Sequence, residues 1–580
     1  MSSRPTFAYV VGIDGGEITL NLRDEHRGQL VGHREGVAAV GELGALFGVV
    51  AGPHVLVLRV RAIRFAEAAA IHKWRLSPRE TEPEPLRHLV AIVLGYIASR
   101  DGVATYEQDA LRCPALGAEA VPLTDAELKA IRSPIGTDSA QVLIGTDVKS
   151  GAAIRLDLTT TLSRHVAVLG STGQGKSCLT AAVLQQLIHL PRPRVVIFDI
   201  NGEYSDALLP HDPTKKHIKV TTLGGKNPTR KIPYYAFGRH GLGRMLLPSE
   251  KTQRPALNFA LEAIAHVEYV RGQGTKLADA SDVVFFDDCR PEGADKALEG
   301  LIRLRAGKVP KAAAWPSMYS LAALVAESHA TRKGKDGKAE RNAFEYGNVS
   351  PLVTRIRRCA EDPLFRSVID VFGGPPTNAG ALDWSAESTA VVEDIFGGND
   401  SQWKIHIVNV RDVVHDLMPM VLGGMLELLA FELFQRGPGG THPTLLVLEE
   451  AHNYLRPIGD GEETSASGLA YERLAKEGRK FGVGLWLSTQ RPSEISPTVL
   501  GQCGTWVVFR LIGESDVRAV TTATEWIDDR ERQRIMGLPR QQALVFGSSL
   551  RMPTRVQAPE ARPRPKSDDP RFAEWSEERD

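Results

Sequence analysis

The sequence predicts an α/β protein: a mainly parallel sheet covered by helices, preceded by a small N-terminal β-barrel and interrupted by a helical bundle. Three observations carry this. From His165 onward, short apolar runs alternate with longer helical segments, the pattern of a sheet whose crossovers are helices. Before Gln141 the apolar runs are short and separated by Gly-containing turns, as barrels require. About two hundred amphipathic, Ala- and Leu-rich residues separate the second core strand from the third, too many for a loop.

Taken in order, residues 7–13, 17–21 and 54–60 are expected to be barrel strands, and 66–75 and 84–99 are helix-like. Core strands are expected over 165–169, 194–200, 404–410, 444–448, 484–488, 505–510 and 542–546. The expected domains are a barrel over 1–140, a core from 141–204 and 401–556, a helical insertion over 205–400, and a tail over 557–580. Inside the insertion, Arg332 to Lys338 reads RKGKDGK, which fits a solvated surface loop. The tail is rich in Pro and charge, so it is either disordered or extended across a neighbour.

The 580 residues suffice for several packed cores. Hydrophobic residues at 42% and charged residues at 24% exclude a disordered or fibrous class. With 70 Lys plus Arg against 70 Asp plus Glu, any nucleic-acid contact must come from locally concentrated positive charge. Five scattered cysteines without a CxxC pair support neither a zinc site nor a disulfide framework and fit a reducing cytoplasm. No secretory signal is legible, and the two most apolar stretches fail as membrane spans: 89–98 is too short, and 417–434 carries Glu427 and Glu432.

The chemistry begins at Gly170, Ser171, Thr172, Gly173, Gln174, Gly175, Lys176 and Ser177, which fit GxxxxGK[ST] between an expected strand and an expected helix over 178–189. Backbone N–H groups through Cys178 would wrap phosphates, Lys176 would reach the β- and γ-phosphates, and the Ser177 hydroxyl would hold Mg2+. The core is therefore expected to be a RecA-like P-loop NTPase that takes ATP and Mg2+. The run TLLVL ends in Glu449 and Glu450; Glu449 would serve the metal, although Asp is more usual there, and Glu450 would deprotonate the attacking water. Gln490, at the end of the next expected strand, is placed to sense the γ-phosphate. Arg479 and Lys480 close a helix, where cations answer the helix dipole; the alternative is that Arg479, or secondly Arg473, reaches a neighbouring subunit's γ-phosphate. Asp199 and Glu203 end another strand and either couple phosphate state to nearby loops or make a structural turn.

Together GSTGQGKS, DINGEY, LLVLEEAHNYL, AKEGRKFG and LSTQRPSEISPTVLGQC resemble the HerA family of hexameric DNA translocases, relatives of FtsK. The resemblance implies a homo-hexamer threading double-stranded DNA, a barrel that serves ring assembly and partner docking, and a crown made by the insertion. It also implies a partner: a NurA-like nuclease in DNA repair, or an antiphage defence effector such as a sirtuin-like NAD hydrolase. Three readings stand: an ATP-driven translocase or helicase; an ATP-gated ring scaffold that activates a partner with little translocation; and a secretion or conjugation ATPase, disfavoured because no span is expected.

Overall fold

The computed structural model describes residues 4–23, 25, 30–33, 36–65, 87–100, 102–109, 111–136, 140–267, 285, 289, 293–377, 382–456, 470–524 and 529–566. Two compact units result, Met1–Thr137 with Gly547–Thr554, and Asp138–Phe546 with Arg555–Asp580. The first unit therefore takes back a short segment, Gly547–Thr554, that the sequence assigns to the core.

In the first unit six strands close on themselves. Glu17–Leu22 pairs with Ala8–Asp14 on one side and with Arg87–Arg100 on the other, and the circuit runs on through Glu119–Val121, Leu46–Ala51 and His54–Phe65. Inward residues such as Phe7, Ile18, Leu20, Phe47, Val49, Leu56 and Leu58 fill the barrel. Arg87–Arg100 corrects the helical expectation over 84–99. Its apolar run suits either period, but Leu89, Ala91 and Val93 alternate into the barrel core, and pairing on both edges decides for the strand. The expected helix over 66–75 lies outside the described residues.

The second unit holds an eleven-stranded sheet. Its central seven strands run in the order Cys503–Phe509, His165–Leu169, Val483–Thr489, Thr444–Leu448, Val195–Asp199, Ile405–Asn409 and Ile218–Thr222, all parallel. All seven expected core strands form, six of them here and Gln542–Gly547 just beyond. Ile218–Thr222 is an edge strand drawn from the stretch assigned to the insertion; its polar sequence, IKVTT, hides it from a hydrophobicity reading.

Seven described helices follow that strand: Gly238–Leu246, Gln253–Ala263, Ala294–Arg305, Met318–Ala330, Ala343–Glu361, Pro363–Val368 and Trp384–Val392. They share one continuous core with the sheet, since Phe198 and Leu448 belong to the same buried cluster as Trp315, Leu321 and Ile356. Met418–Arg436, which the sequence expects to fail as a membrane span, is long and apolar enough for one by composition, yet 67% of its apolar window is buried inside the unit. Its Glu432 is buried too, accepting from Thr389 at 2.9 Å.

The start of the tail corrects the expectation of disorder or of a neighbour's surface. Ala561 is fully buried, the Arg562 N–H donates to Gln185 Oε1 at 3.0 Å, and Gln185 Nε2 donates to the Pro563 carbonyl at 2.9 Å. Arg562 and Pro563 thus lie against Lys176–Leu187 of their own chain.

Candidate active site

Register places the chemistry on one edge of the sheet. Leu169 lies opposite Thr489, Leu448 opposite both Leu487 and Phe198, and Asp199 opposite Asn409, so the residues after these strand ends meet at the carboxyl edge. Ligands of open parallel sheets bind there. The strand carrying Gln490 runs between the strand before the phosphate loop and the strand ending at Glu449.

The loop from Gly170 to Ser177 is glycine-dependent at two points. A Cβ on Gly170 would stand 2.6 Å from Phe509 Cβ, and Gly175 has φ 114°, a left-handed value that side chains oppose. Helix Lys176–Leu187 starts at Gly175 with no side-chain cap, so its first N–H groups face the loop without intrahelical acceptors, an arrangement suited to anions. Lys176 is buried, and its ammonium donates to the Gly170 carbonyl at 2.7 Å. Burial lowers its pKa, opposed by the charges of Glu450, Glu449 and Glu203. Its three donors remain within the loop that phosphates would fill.

Glu449 is buried beside this loop. Its Oε1 accepts from the Tyr204 hydroxyl at 2.7 Å and from the Ser177 hydroxyl at 3.2 Å, while its Oε2 has no hydrogen-bond partner. Burial first, then the neighbouring Asp199, pushes its pKa up to about 8. Glu450 has φ 41° and ψ 47°, a left-handed conformation. Burial raises its pKa, opposed by the Lys176 charge and by a hydrogen bond with the Gln490 backbone. Its Oε2 also lacks a hydrogen-bond partner. His452 Nδ1 is 3.3 Å from that oxygen, but burial holds the imidazole near a pKa of about 4, so it is neutral and the contact is no ion pair. His452 instead bonds Thr489 Oγ1 at 2.9 Å, and the Arg491 N–H donates to the same hydroxyl at 3.0 Å, which pins the turn carrying Gln490. The Thr172 hydroxyl donates to Gln490 Oε1, joining the Gln490 turn to the phosphate loop.

Asp199 accepts from the N–H groups of Gly202, Glu203 and Tyr204 at 2.8–3.1 Å, so of its two readings the structural turn is the one the geometry displays. That turn delivers Tyr204 to Glu449. Sequence reasoning missed Tyr204, and also Arg540, which donates to the Gly173 carbonyl at 2.9 Å, and Gln541, whose N–H donates to the Gln174 carbonyl at 3.0 Å. No local signal marks contacts made across so much chain, although NGEY after an apolar strand is a cue for the first.

Arg479 is elsewhere. It is exposed, in the turn Gly478–Phe481 that leads into Val483–Thr489, and so sits at the amino end of the strand whose carboxyl end bears Gln490. Seven residues at about 3.3 Å each put roughly 20 Å between the two ends. Arg473 lies over the Phe434 ring at 4.2 Å, a cation–π contact within the chain.

A phosphate loop on a parallel sheet, with the buried Glu449 and the half-buried Glu450 at the end of a second strand, defines a P-loop ATPase. Within that class, the description "Helicase HerA, central domain" matches residues 142–290. The chain is 24% identical over 443 residues to the DNA double-strand break repair helicase HerA of Pyrococcus furiosus, covering 72% of this chain and 71% of that protein. It is 25% identical over 457 residues to a probable DNA double-strand break repair helicase HerA of Methanocaldococcus jannaschii, covering 77% and 81%. The chain is thus similar to the HerA family, through its central-domain model and through relatives matched over about three quarters of its length. Among solved structures it is similar to VirB4 of Thermoanaerobacter pseudethanolicus (TM-score 0.43, 15% identity, 74% of this chain and 98% of that one). It is also similar to the plasmid coupling protein TrwB in complex with ADP and Mg2+ (TM-score 0.41, 14% identity, 77% and 94%).

Proposed function

We propose that the chain is one subunit of a hexameric motor that couples ATP hydrolysis to movement along double-stranded DNA. One observation carries the reading: Glu450 and the phosphate loop share one edge of the sheet, while Arg479 stands exposed at the other. A site holding all three needs two subunits, and head-to-tail contacts that pair opposite edges close into rings. The relatives' names, which describe DNA break-repair helicases, support DNA as the track.

In this reading the loop N–H groups and Lys176 bind the phosphates, Glu450 takes the proton of the attacking water, and Gln490 reads the γ-phosphate. Arg479 of a neighbouring subunit stabilises charge on the transferring phosphoryl group, a role Arg473 is less free to take because it stacks on Phe434. Mg2+ fits the acids present: the unbonded, buried Glu449 Oε2 lies on the carboxylate that Ser177 contacts. Among the described residues no three His, Cys, Asp or Glu side chains form a metal cage, as suits an ion held chiefly by phosphate oxygens and one or two protein groups. When bound, Mg2+ supplies charge neutralisation on the phosphates. The motor would serve a partner effector, a NurA-like nuclease in break repair or an NAD-consuming effector in antiphage defence; native co-purification distinguishes them.

The test is complementation. Arg479→Ala and Glu450→Gln subunits should each be inactive alone, and mixing them should restore turnover at interfaces that pair an intact Glu450 with an intact Arg479. Duplex DNA should raise that turnover. A mixture as inactive as its parts, with ATP still bound, would sink the shared site.

A further inference from the structure

The basic run expected to be a solvated surface loop is exposed, and it forms the end of a braced hairpin. Thr331–Lys333 pairs antiparallel with Ala339–Arg341, with Thr331 opposite Arg341 and Arg332 opposite Glu340. The turn is closed by the Gly334 N–H donating to the Lys338 carbonyl at 2.8 Å, and Asp336 is committed to it, accepting from the Lys338 N–H at 3.1 Å.

Its base is fixed by a buried charge. Glu327, fully buried in the last turn of Met318–Ala330, accepts from Arg341 Nη2 at 2.6 Å, from Arg341 Nε at 3.1 Å and from the Thr331 hydroxyl. The ribbon is held on a second side by Asp295, which accepts from the Ala339 N–H at 3.0 Å. Burying an ion pair brings little net stability, but the Glu327 bonds tie both strands of the hairpin base to the end of Met318–Ala330.

Lys333, Lys335 and Lys338 are exposed at the outer end of this ribbon. Arg332 is partly balanced by the facing Glu340, whose carboxyl is folded over Gly334. From Thr331 to Arg341 the hairpin has no aromatic and no large apolar side chain. It therefore cannot stack on unpaired bases or enter a bilayer interface, both of which need such groups. What remains is point-charge contact with a regular array of phosphates.

We propose that this hairpin is a nucleic-acid contact, separate from the ATP site, in which Lys333, Lys335 and Lys338 grip the phosphate backbone of duplex DNA without reading sequence. The proposal rests on the reading of the protein as a duplex-DNA motor. It assigns to the helical insertion a rigid prong that meets the track outside the ATP site.

The test is the salt dependence of binding to a blunt duplex by the full-length protein with a non-hydrolysable ATP analogue. Each phosphate contact contributes about 0.9 to the slope of log affinity against log salt, so Lys333→Ala/Lys335→Ala/Lys338→Ala should flatten it by roughly two to three. Affinity at 0.1 M salt should fall on the order of a hundredfold, with unrelated duplex sequences affected alike. The corresponding triple Arg variant keeps the charge and should keep the slope. An unchanged slope in the Ala variant, while wild-type protein binds duplex, overturns the hairpin contact alone, as does equal loss in the Arg variant. Loss of binding to anionic vesicles but not to duplex also overturns it. Wild-type protein that ignores duplex at every salt concentration overturns the motor reading with it.

Discussion

The barrel and the nucleotide edge treat their buried carboxylates in opposite ways. Among the described residues of the barrel unit, the buried polar side chains are Glu127 and Ser549. Glu127 is fully engaged: Arg4 donates to both its oxygens at 2.9 Å, and it caps its own helix through the Thr124 N–H at 2.8 Å. Glu449 and Glu450 each keep one buried oxygen without a hydrogen-bond partner. Unsatisfied buried carboxylate oxygens oppose folding, which fits the ligand-binding role proposed for Glu449 and Glu450, whereas the saturated Glu127 is architecture.

That contrast can be broken or sharpened. The largest effect should come from Glu450→Gln, which removes the proposed proton acceptor and keeps the shape: turnover should fall about 10²–10⁴-fold with ATP still bound, read by a turnover assay beside nucleotide binding. Next, Phe47→Ala in the barrel should cost about 3–5 kcal/mol of that unit's stability, read by denaturant unfolding, because it opens a cavity beside Phe7, 5.5 Å away between ring centroids. If it abolished ATP binding as well, the division between saturated and unsaturated carboxylates would not map onto function.

The gentlest effect is on pH. Glu449 titrates at about 8 in the folded chain against an ordinary value near 4.5, so between those values the folded state holds a proton the unfolded state has lost. Stability without nucleotide should accordingly decline as pH rises from about 4.5 to 8. Glu449→Gln should flatten that slope in melting curves; an unaltered slope would assign it to other groups.

Much of this was legible in the sequence. The strands that precede the phosphate loop, Glu449 and Gln490 are short apolar runs ending in polar residues, and the GxxxxGK[ST] motif with the order of the runs after it locates them. What escaped was set by pairing and distance. Arg87–Arg100 reads equally well in two periods until neighbouring strands choose. Ile218–Thr222 is too polar for a hydrophobicity criterion, and an edge position tolerates that. Tyr204 reaches Glu449 across 245 positions, a contact created by the adjacency of two strands that no local window contains. Arg479 could be named but not located until the strand before Gln490 gave its direction.

The left-handed backbone of Glu450 has an evolutionary consequence. That conformation costs a side-chain-bearing residue about 1–2 kcal/mol, and asparagine or glycine adopts it more readily. Selection for heat resistance alone would thus push this position toward those two residues, at the sacrifice of turnover. A glutamate kept there across a lineage would record continuous demand for the chemistry rather than for robustness.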